Sequence, residues 1–226
     1  MTAIEKAKQL AAEKALSCVE PGMRIGLGTG STVKYFLEAL GKRCLEGLDI
    51  TGFPTSMRSE ALAKKWHIPV NHSFTEIDLT VDGADAVDPS LNLIKGHGGA
   101  LLREKIIAYA SQQMIVIVDD SKVVPDFSKI SLPVEVLPFG WESTKYAMEK
   151  LGFVSNLRMN TNGEVFITDN GNYTLDLTLP SPLNDLKQFN EQIRNIPGVL
   201  ETGLFLHLAT KVFVGSASGK VTEIKG

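Results

Sequence analysis

The chain has 226 residues, 43% hydrophobic and 22% charged, with mean hydropathy +0.03, a globular balance that excludes collagen-like, disordered and disulfide-stapled classes. Twenty-three Lys and Arg against 26 Asp and Glu leave a formal charge of −3 and a pI near 5.8, so no positive excess is available to neutralise a nucleic acid backbone. The longest apolar runs, 106–110 and 114–118, fall far short of the roughly 20 residues that cross a bilayer as a helix, which argues against a membrane protein.

In chain order, Ile4, Ala7, Ala11, Ala15 and Leu16 recur at helical spacing and predict a helix from Ala3, stopped by Pro21-Gly22. That opening segment lacks the apolar stretch and cleavage site of a secretory signal, and Cys18 and Cys44 read as reduced, buried thiols; both point to the cytoplasm. A strand over 24–27 leads through Gly28-Thr29-Gly30-Ser31-Thr32 into the helical pattern Val33, Phe36, Leu37 and Leu40, with Ser31 or Thr32 as the N-cap. A short strand over 49–53, a helix over 56–66, apolar segments at 77–81 and 91–94, a helix over 99–111 and a buried strand over 114–118 follow. This alternation predicts an α/β, Rossmann-like domain with a mainly parallel sheet.

After Pro125 the pattern changes. A proline-bounded segment over 132–138 precedes a helix over 141–151. Strands are predicted over 153–158, 164–168 and 172–177, joined by the hairpin dipeptides Asn162-Gly163 and Asn170-Gly171. A helix carrying Leu183, Leu186, Phe189, Ile193 and Ile196 ends at Pro197-Gly198, and segments at 205–208 and 211–214 return to the first unit. The expected organisation is a catalytic α/β domain, 1–127 plus 205–226, and a smaller α+β domain, 128–204, that offers a subunit interface.

Three clusters carry potential chemistry. The strand-to-helix turn at 26–32 joins glycines, which admit a close backbone approach, to a helix N-terminus that favours an anion. It misses the G-x-G-x-x-G fingerprint, since Ser31 and Val33 stand where a further glycine is needed, and the G-x-x-x-x-G-K-[ST] loop is absent. A phosphate is the favoured occupant, and a plain tight turn is the alternative. Val81-Asp82-Gly83-Ala84-Asp85-Ala86-Val87-Asp88 places three carboxylates after an apolar strand, where they serve equally as metal ligands, sugar or acid–base groups or as an acidic turn closed by Pro89. Lys95-Gly96-His97-Gly98-Gly99 forms a second glycine junction ahead of a helix bearing Glu104, which by itself also fits a solvated Arg-Glu-Lys face. Histidines and cysteines are not clustered at metal-ligand spacing. In an open α/β sheet the C-terminal strand ends gather such loops, including Lys122 after the 114–118 strand.

In this order and spacing GLGTGST at 26–32, VDGAD at 81–85, KGHGGALLREK at 95–105 and DDSK at 119–122 closely resemble ribose-5-phosphate isomerase, type A. LPVEVLP at 132–138, TDNGN at 168–172 and IPGVLETGLF at 196–205 extend the resemblance over nearly the whole chain. It implies interconversion of D-ribose 5-phosphate and D-ribulose 5-phosphate through an enediolate, with no cofactor and no metal, in a cytoplasmic homodimer or homotetramer. Glu104 is implied as the proton-transfer base, with Asp82, Asp85 and Lys95 around the reacting carbonyl and hydroxyls. Thr29, Gly30, Ser31, Thr32, Gly83, Ala84, Gly96, His97, Gly98 and Lys122 are implied as substrate-binding positions, and Lys8 as a phosphate partner. The chain departs from the expected pattern at His97, where glycine is expected, and at Ala86, where an acid is expected.

Competing readings are a noncatalytic sugar-phosphate sensor, a coenzyme A transferase of similar fold and a nucleotide-dependent oxidoreductase. A sensor should carry a helix-turn-helix module, for which the residues ahead of the first glycine strand leave little room. A transferase would form an acyl-glutamate with acyl-coenzyme A. The missing fingerprint weakens the oxidoreductase.

Overall fold

The computed structural model describes residues 2–179, 183 and 185–225. Its first half alternates helices and strands because the apolar periods of its segments differ. α1 (Ala3–Leu16) opens on a capping box between Thr2 and Glu5 and buries Ala7, Ala11, Ala12 and Ala15, small side chains that let it lie close to a sheet. β1 (Arg24–Leu27), α2 (Val33–Leu45), β2 (Thr51–Pro54), α3 (Met57–Lys65) and β3 (Ile77–Asp82) follow, then the two-residue strands β4 (Ala86–Val87) and β5 (Leu93–Ile94). α4 (Leu101–Tyr109) leads into β6 (Ser111–Asp119), which ends in a 3-10 turn (Asp120–Lys122).

The second half contains β7 (Ser131–Val136), α5 (Trp141–Lys150), β8 (Ser155–Leu157), β9 (Tyr173–Thr178), α6 (Leu186–Arg194), β10 (Val199–Thr202), β11 (Leu204–Phe205), β12 (Lys211–Gly215) and β13 (Val221–Lys225). The main sheet runs β13-β12-β6-β3-β1-β2, parallel throughout except for the antiparallel β12–β13 pair at its edge. The mainly parallel sheet expected from the sequence is therefore present. Its strand order reverses between β1 and β3, and crevices beyond the C-terminal ends of strands at such a reversal are where ligands bind in open α/β sheets. α1 packs on β6 and β12 so closely that a Cβ on Gly215 would lie 1.9 Å from the Ala7 carbonyl oxygen.

A second sheet, β10-β7-β9-β8, is antiparallel and has its own cluster of Leu132, Val134, Val136, Leu175, Leu177, Phe189 and Ile193, to which Ala86 and Ile94 also contribute. A small sheet, β11-β5-β4, completes the fold.

Several expectations are corrected. The strand predicted over 164–168 does not form: only an isolated Met159–Val165 bridge remains. The Phe166 N–H still donates across the turn to the Arg158 carbonyl at 2.9 Å, while its ring lies against Gly99 and the Arg158 guanidinium, and the Thr168 hydroxyl turns to Glu135. The strand predicted over 153–158 shrinks to β8, and the 205–208 segment pairs only through Leu204 and Phe205. The helix predicted from Leu183 begins at Leu186, capped by the Asp185 carboxylate, which accepts from the Gln188 N–H; position 184 lies outside the described residues. Strand β13 was not foreseen. Cys18 and Cys44 are free but only half-buried, packed at the margin of the main core rather than inside it. No helix among the described residues is long and apolar enough to cross a membrane.

Candidate active site

The glycine turn after β1 is built around a buried carboxylate. Asp82, the last residue of β3, accepts through Oδ1 from the backbone N–H groups of Thr29 at 2.9 Å and Gly83 at 2.7 Å. Any Cβ at position 28 would fall 2.2 Å from that oxygen, so glycine is required there for the carboxylate to sit against the turn. The Thr29 hydroxyl bonds to the hydroxyls of Thr55 and Ser56 at 2.8 and 2.7 Å, joining this turn to the one between β2 and α3. Thr32 is the N-cap of α2, yet no side chain caps the helix. The Ser31 and Thr32 hydroxyls are thus not used as caps, and the Ser31 oxygen accepts from Lys8 Nζ at 2.9 Å.

Lys95 follows β5 and is anchored by its own N–H to the Gly203 carbonyl. Its ammonium donates to the Gly83 carbonyl at 2.6 Å and stands 3.0 Å from Asp82 Oδ2 and 3.3 Å from Glu104 Oε1. All three side chains are buried: Asp82, Lys95 and Glu104 expose 0, 2 and 4% of their surface. Glu104 occupies the first turn of α4, and its Oε2 is buried without a hydrogen-bond partner. Burial, reinforced by the charge of Asp82 and only partly opposed by Lys95, pushes Glu104 up to about 8. Burial also raises Asp82 against the opposing pull of Lys95. Burial alone would lower Lys95, but the charges of Asp82 and Glu104 outweigh it and raise the group to about 12, so the ammonium stays charged.

Thr29, Gly30, Ser31, Thr32, Gly83, Ala84, Asp85, Lys95, Gly96, Gly98, Glu104 and Lys122 face one cleft of about 110 Å³. Of the residues expected from the sequence, Asp82 lies beneath that cleft, and Lys8 stands behind Ser31, 3.9 Å from the buried Asp119. The His97 side chain is not part of the lining. Its ring Nε2 lies 3.1 Å from the Ser131 carbonyl oxygen and its Nδ1 3.6 Å from Asp85, while its backbone N–H donates to Asp85 at 2.9 Å. Arg58 also lines the cleft and was missed by the sequence reading. Its signal was a further strand-to-helix junction at the same sheet edge, where Ser56 caps α3 two residues before the arginine. Among the described residues, no group of three or more His, Cys, Asp or Glu side chains could hold a metal ion.

Residues 51–219 match the family model for ribose 5-phosphate isomerase A, also described as phosphoriboisomerase A. The ribose-5-phosphate isomerase A of Listeria innocua is 44% identical over 220 residues, spanning 96% of this chain and 98% of the relative. The chain belongs to the ribose 5-phosphate isomerase A family. The Picrophilus torridus ribose-5-phosphate isomerase A is 47% identical over 98% of this chain and 99% of its own. A solved D-ribose-5-phosphate isomerase in complex with phospho-erythronic acid superposes with a TM-score of 0.94 at 40% identity, covering all of both chains. Ribose 5-phosphate isomerase A from Methanocaldococcus jannaschii gives 0.92 at 36% identity, over 98% of this chain and 99% of that one. Within this ribose 5-phosphate isomerase A framework, His97 needs no left-handed backbone, since the positive-φ non-glycine residues described are His67, Leu91 and His207. Ala86 is fully buried against the core of the smaller sheet, where a charged side chain would have to be desolvated.

Proposed function

We propose that Glu104 is the base with which this aldose–ketose isomerase interconverts D-ribose 5-phosphate and D-ribulose 5-phosphate. The observation that carries this reading is the unpartnered, buried Glu104 Oε2 on the cleft that Lys95 and the glycine turns also line. In the open-chain aldose, the C2–H proton passes to the Glu104 carboxylate, and the C–H electron pair forms the C1=C2 bond as charge moves onto O1. A proton passes from O2 to O1 of the enediolate, and the same carboxyl group returns its proton to C1 as the C2=O bond forms, giving the ketose. Lys95, charged and held by Asp82 and the Gly83 carbonyl, faces the developing oxyanion without needing to reorient. Asp82 assists ring opening, and Asp85 contacts the sugar hydroxyls.

The phosphate is held by Ser31, Thr32, Gly30 and Lys122, with Lys8 directed at the same loop through Ser31. Thr29, Gly83, Ala84, Gly96 and Gly98 shape the sugar channel, and His97 contributes through its backbone tie to Asp85. The phospho-erythronic acid bound by the solved relative is a phosphorylated sugar acid and supports this class of ligand. The test is Glu104→Gln, which keeps the shape but cannot accept the proton. Turnover should fall by at least about 100-fold while substrate still binds, and exchange of deuterium from solvent into product should vanish. Near-normal turnover would remove Glu104 from the mechanism and leave Asp82 and Asp85 as the carboxylates to examine.

The same reading includes the division into a catalytic unit, 1–127 with 205–226, and a smaller unit, 128–204. Separate apolar clusters support it, although Ala86 and Ile94 pack with the smaller one. It also includes a cytoplasmic homodimer or homotetramer, supported by the two unpaired thiols and by apolar side chains around α5. Phe139 is 88% exposed there, with Tyr146, Leu151 and Val154 nearby in sequence and also exposed. Sedimentation equilibrium of the wild-type chain and of Phe139→Asp should show an oligomer that the substitution weakens; a wild-type monomer at micromolar concentration refutes the assembly.

A further inference from the structure

Two sequence motifs, LPVEVLP at 132–138 and TDNGN at 168–172, contribute no residue to the cleft lining, yet they meet in space. Glu135 on β7 is fully buried, and its Oε1 accepts from the Thr168 hydroxyl at 3.0 Å and from the side-chain amides of Asn170 at 3.0 Å and Asn172 at 2.8 Å. Thr168 Oγ1 also receives the backbone N–H groups of Asn170 and Asn172, closing the turn on itself. Three donors on one buried carboxylate oxygen make a strong, directional anchor, with Thr168 and Asn172 buried beside it and Asn170 at its exposed end.

The outer side of this turn grips the catalytic unit. Asn170 Oδ1 accepts from Arg103 Nε at 2.7 Å, and the Asp169 carbonyl accepts from Arg103 Nη2 at 2.9 Å. The Asp169 carboxylate accepts from the Met57 N–H at 2.7 Å, at the first residue of α3 and one position before Arg58. Because Asn170 donates to Glu135 and accepts from Arg103, reversing its amide would lose both bonds, so it has one usable orientation. Arg103 precedes Glu104 on α4, about 100° away around the helix. A guanidinium fixed by two acceptors on the outer side therefore sets the helix rotation that turns Glu104 toward Lys95 and Asp82.

We propose that the 168–172 turn, anchored by Glu135, is a positioning clamp for the catalytic helix, acting on Glu104 through Asn170 and Arg103. The clamp rests on the assignment of Glu104 as the base. Its failure is distinguishable from that of the assignment, because Glu104→Gln tests the base alone. Asn170→Ala removes the bridge, and Arg103→Lys keeps the charge but cannot make both bonds of the fork. Each should lower kcat by about tenfold or more, because a base displaced by a fraction of an ångström loses its alignment, while KM stays within about twofold.

The acid limb of the pH–rate profile should also move to lower pH, since a Glu104 less tightly enclosed with Asp82, Lys95 and Asp85 reverts toward an ordinary carboxyl group. A purely structural tie would lower the melting temperature and leave kcat, KM and the pH limb unchanged. That outcome, or wild-type kinetics in either folded variant, overturns the clamp. If Glu104→Gln turns over normally, the base assignment fails, and the clamp fails with it.

Discussion

At the scale of single residues, Glu104 is a carboxyl group held far from its ordinary range. With Glu104 near 8, about one molecule in ten carries this carboxylate, the proposed base, ionised at pH 7. The rate constant kcat/KM should therefore rise nearly tenfold per pH unit on the acid side and level off above pH 8, while Lys95 stays charged throughout. Initial rates between pH 6 and 9 check this, and a profile flat from pH 6 would show that burial does not govern the base. The same shift carries a stability cost of definite sign. Glu104 keeps its proton longer in the folded protein than in the unfolded chain, so its contribution is complete below about 4.5 and is lost as pH rises through about 8. Denaturation of Glu104→Gln should lack this part of the pH dependence. Lys105, the next residue, works in the opposite sense: burial, only partly opposed by Glu201, pulls it down to about 8, so the chain gains stability between there and the ordinary lysine range.

At the scale of elements, what the sequence disclosed was what has a short period or an obligatory residue. The strands of the main sheet announce themselves as near-continuous apolar runs because both faces are covered, as in 114–118. The glycine turns follow from close approach, as Gly28 against Asp82 illustrates. Strand β13 was illegible for the converse reason: its VTEIK pattern is mostly exposed at a sheet edge and carries charge rather than apolar alternation. The strand predicted over 164–168 stops after Phe166, whose N–H still pairs with Arg158, because Thr168 turns to Asn172 and Glu135, and Glu135 is a partner far away in the chain that no local pattern can express. The residues of the candidate site were readable as an ordered set, but their depth was not. That Asp82 lies beneath the cleft, and that the His97 side chain points away from it, depends on packing between units distant in sequence. Arg58 was overlooked because one arginine in the first turn of a helix looks like any solvated charge.

At the scale of the whole molecule, the parallel sheet gathers the turns after β1, β2, β3 and β6 along one edge, and the smaller sheet reaches across to hold the helix that bears Glu104. The tight seat of α1 on β12 extends this cooperation to distant stretches of chain. Gly215 has no room for a side chain beneath Ala7, the residue before Lys8. Gly215→Val should lift α1 and raise KM several-fold with kcat nearly intact, as expected when an anion contact weakens; unchanged KM would show that Lys8 does not serve the phosphate. On the ribosome the consequence is one of timing. Lys8 is made long before the strand that seats its helix, which is complete only when residue 215 has been added, so a nascent chain can close most of its core before α1 finds its seat.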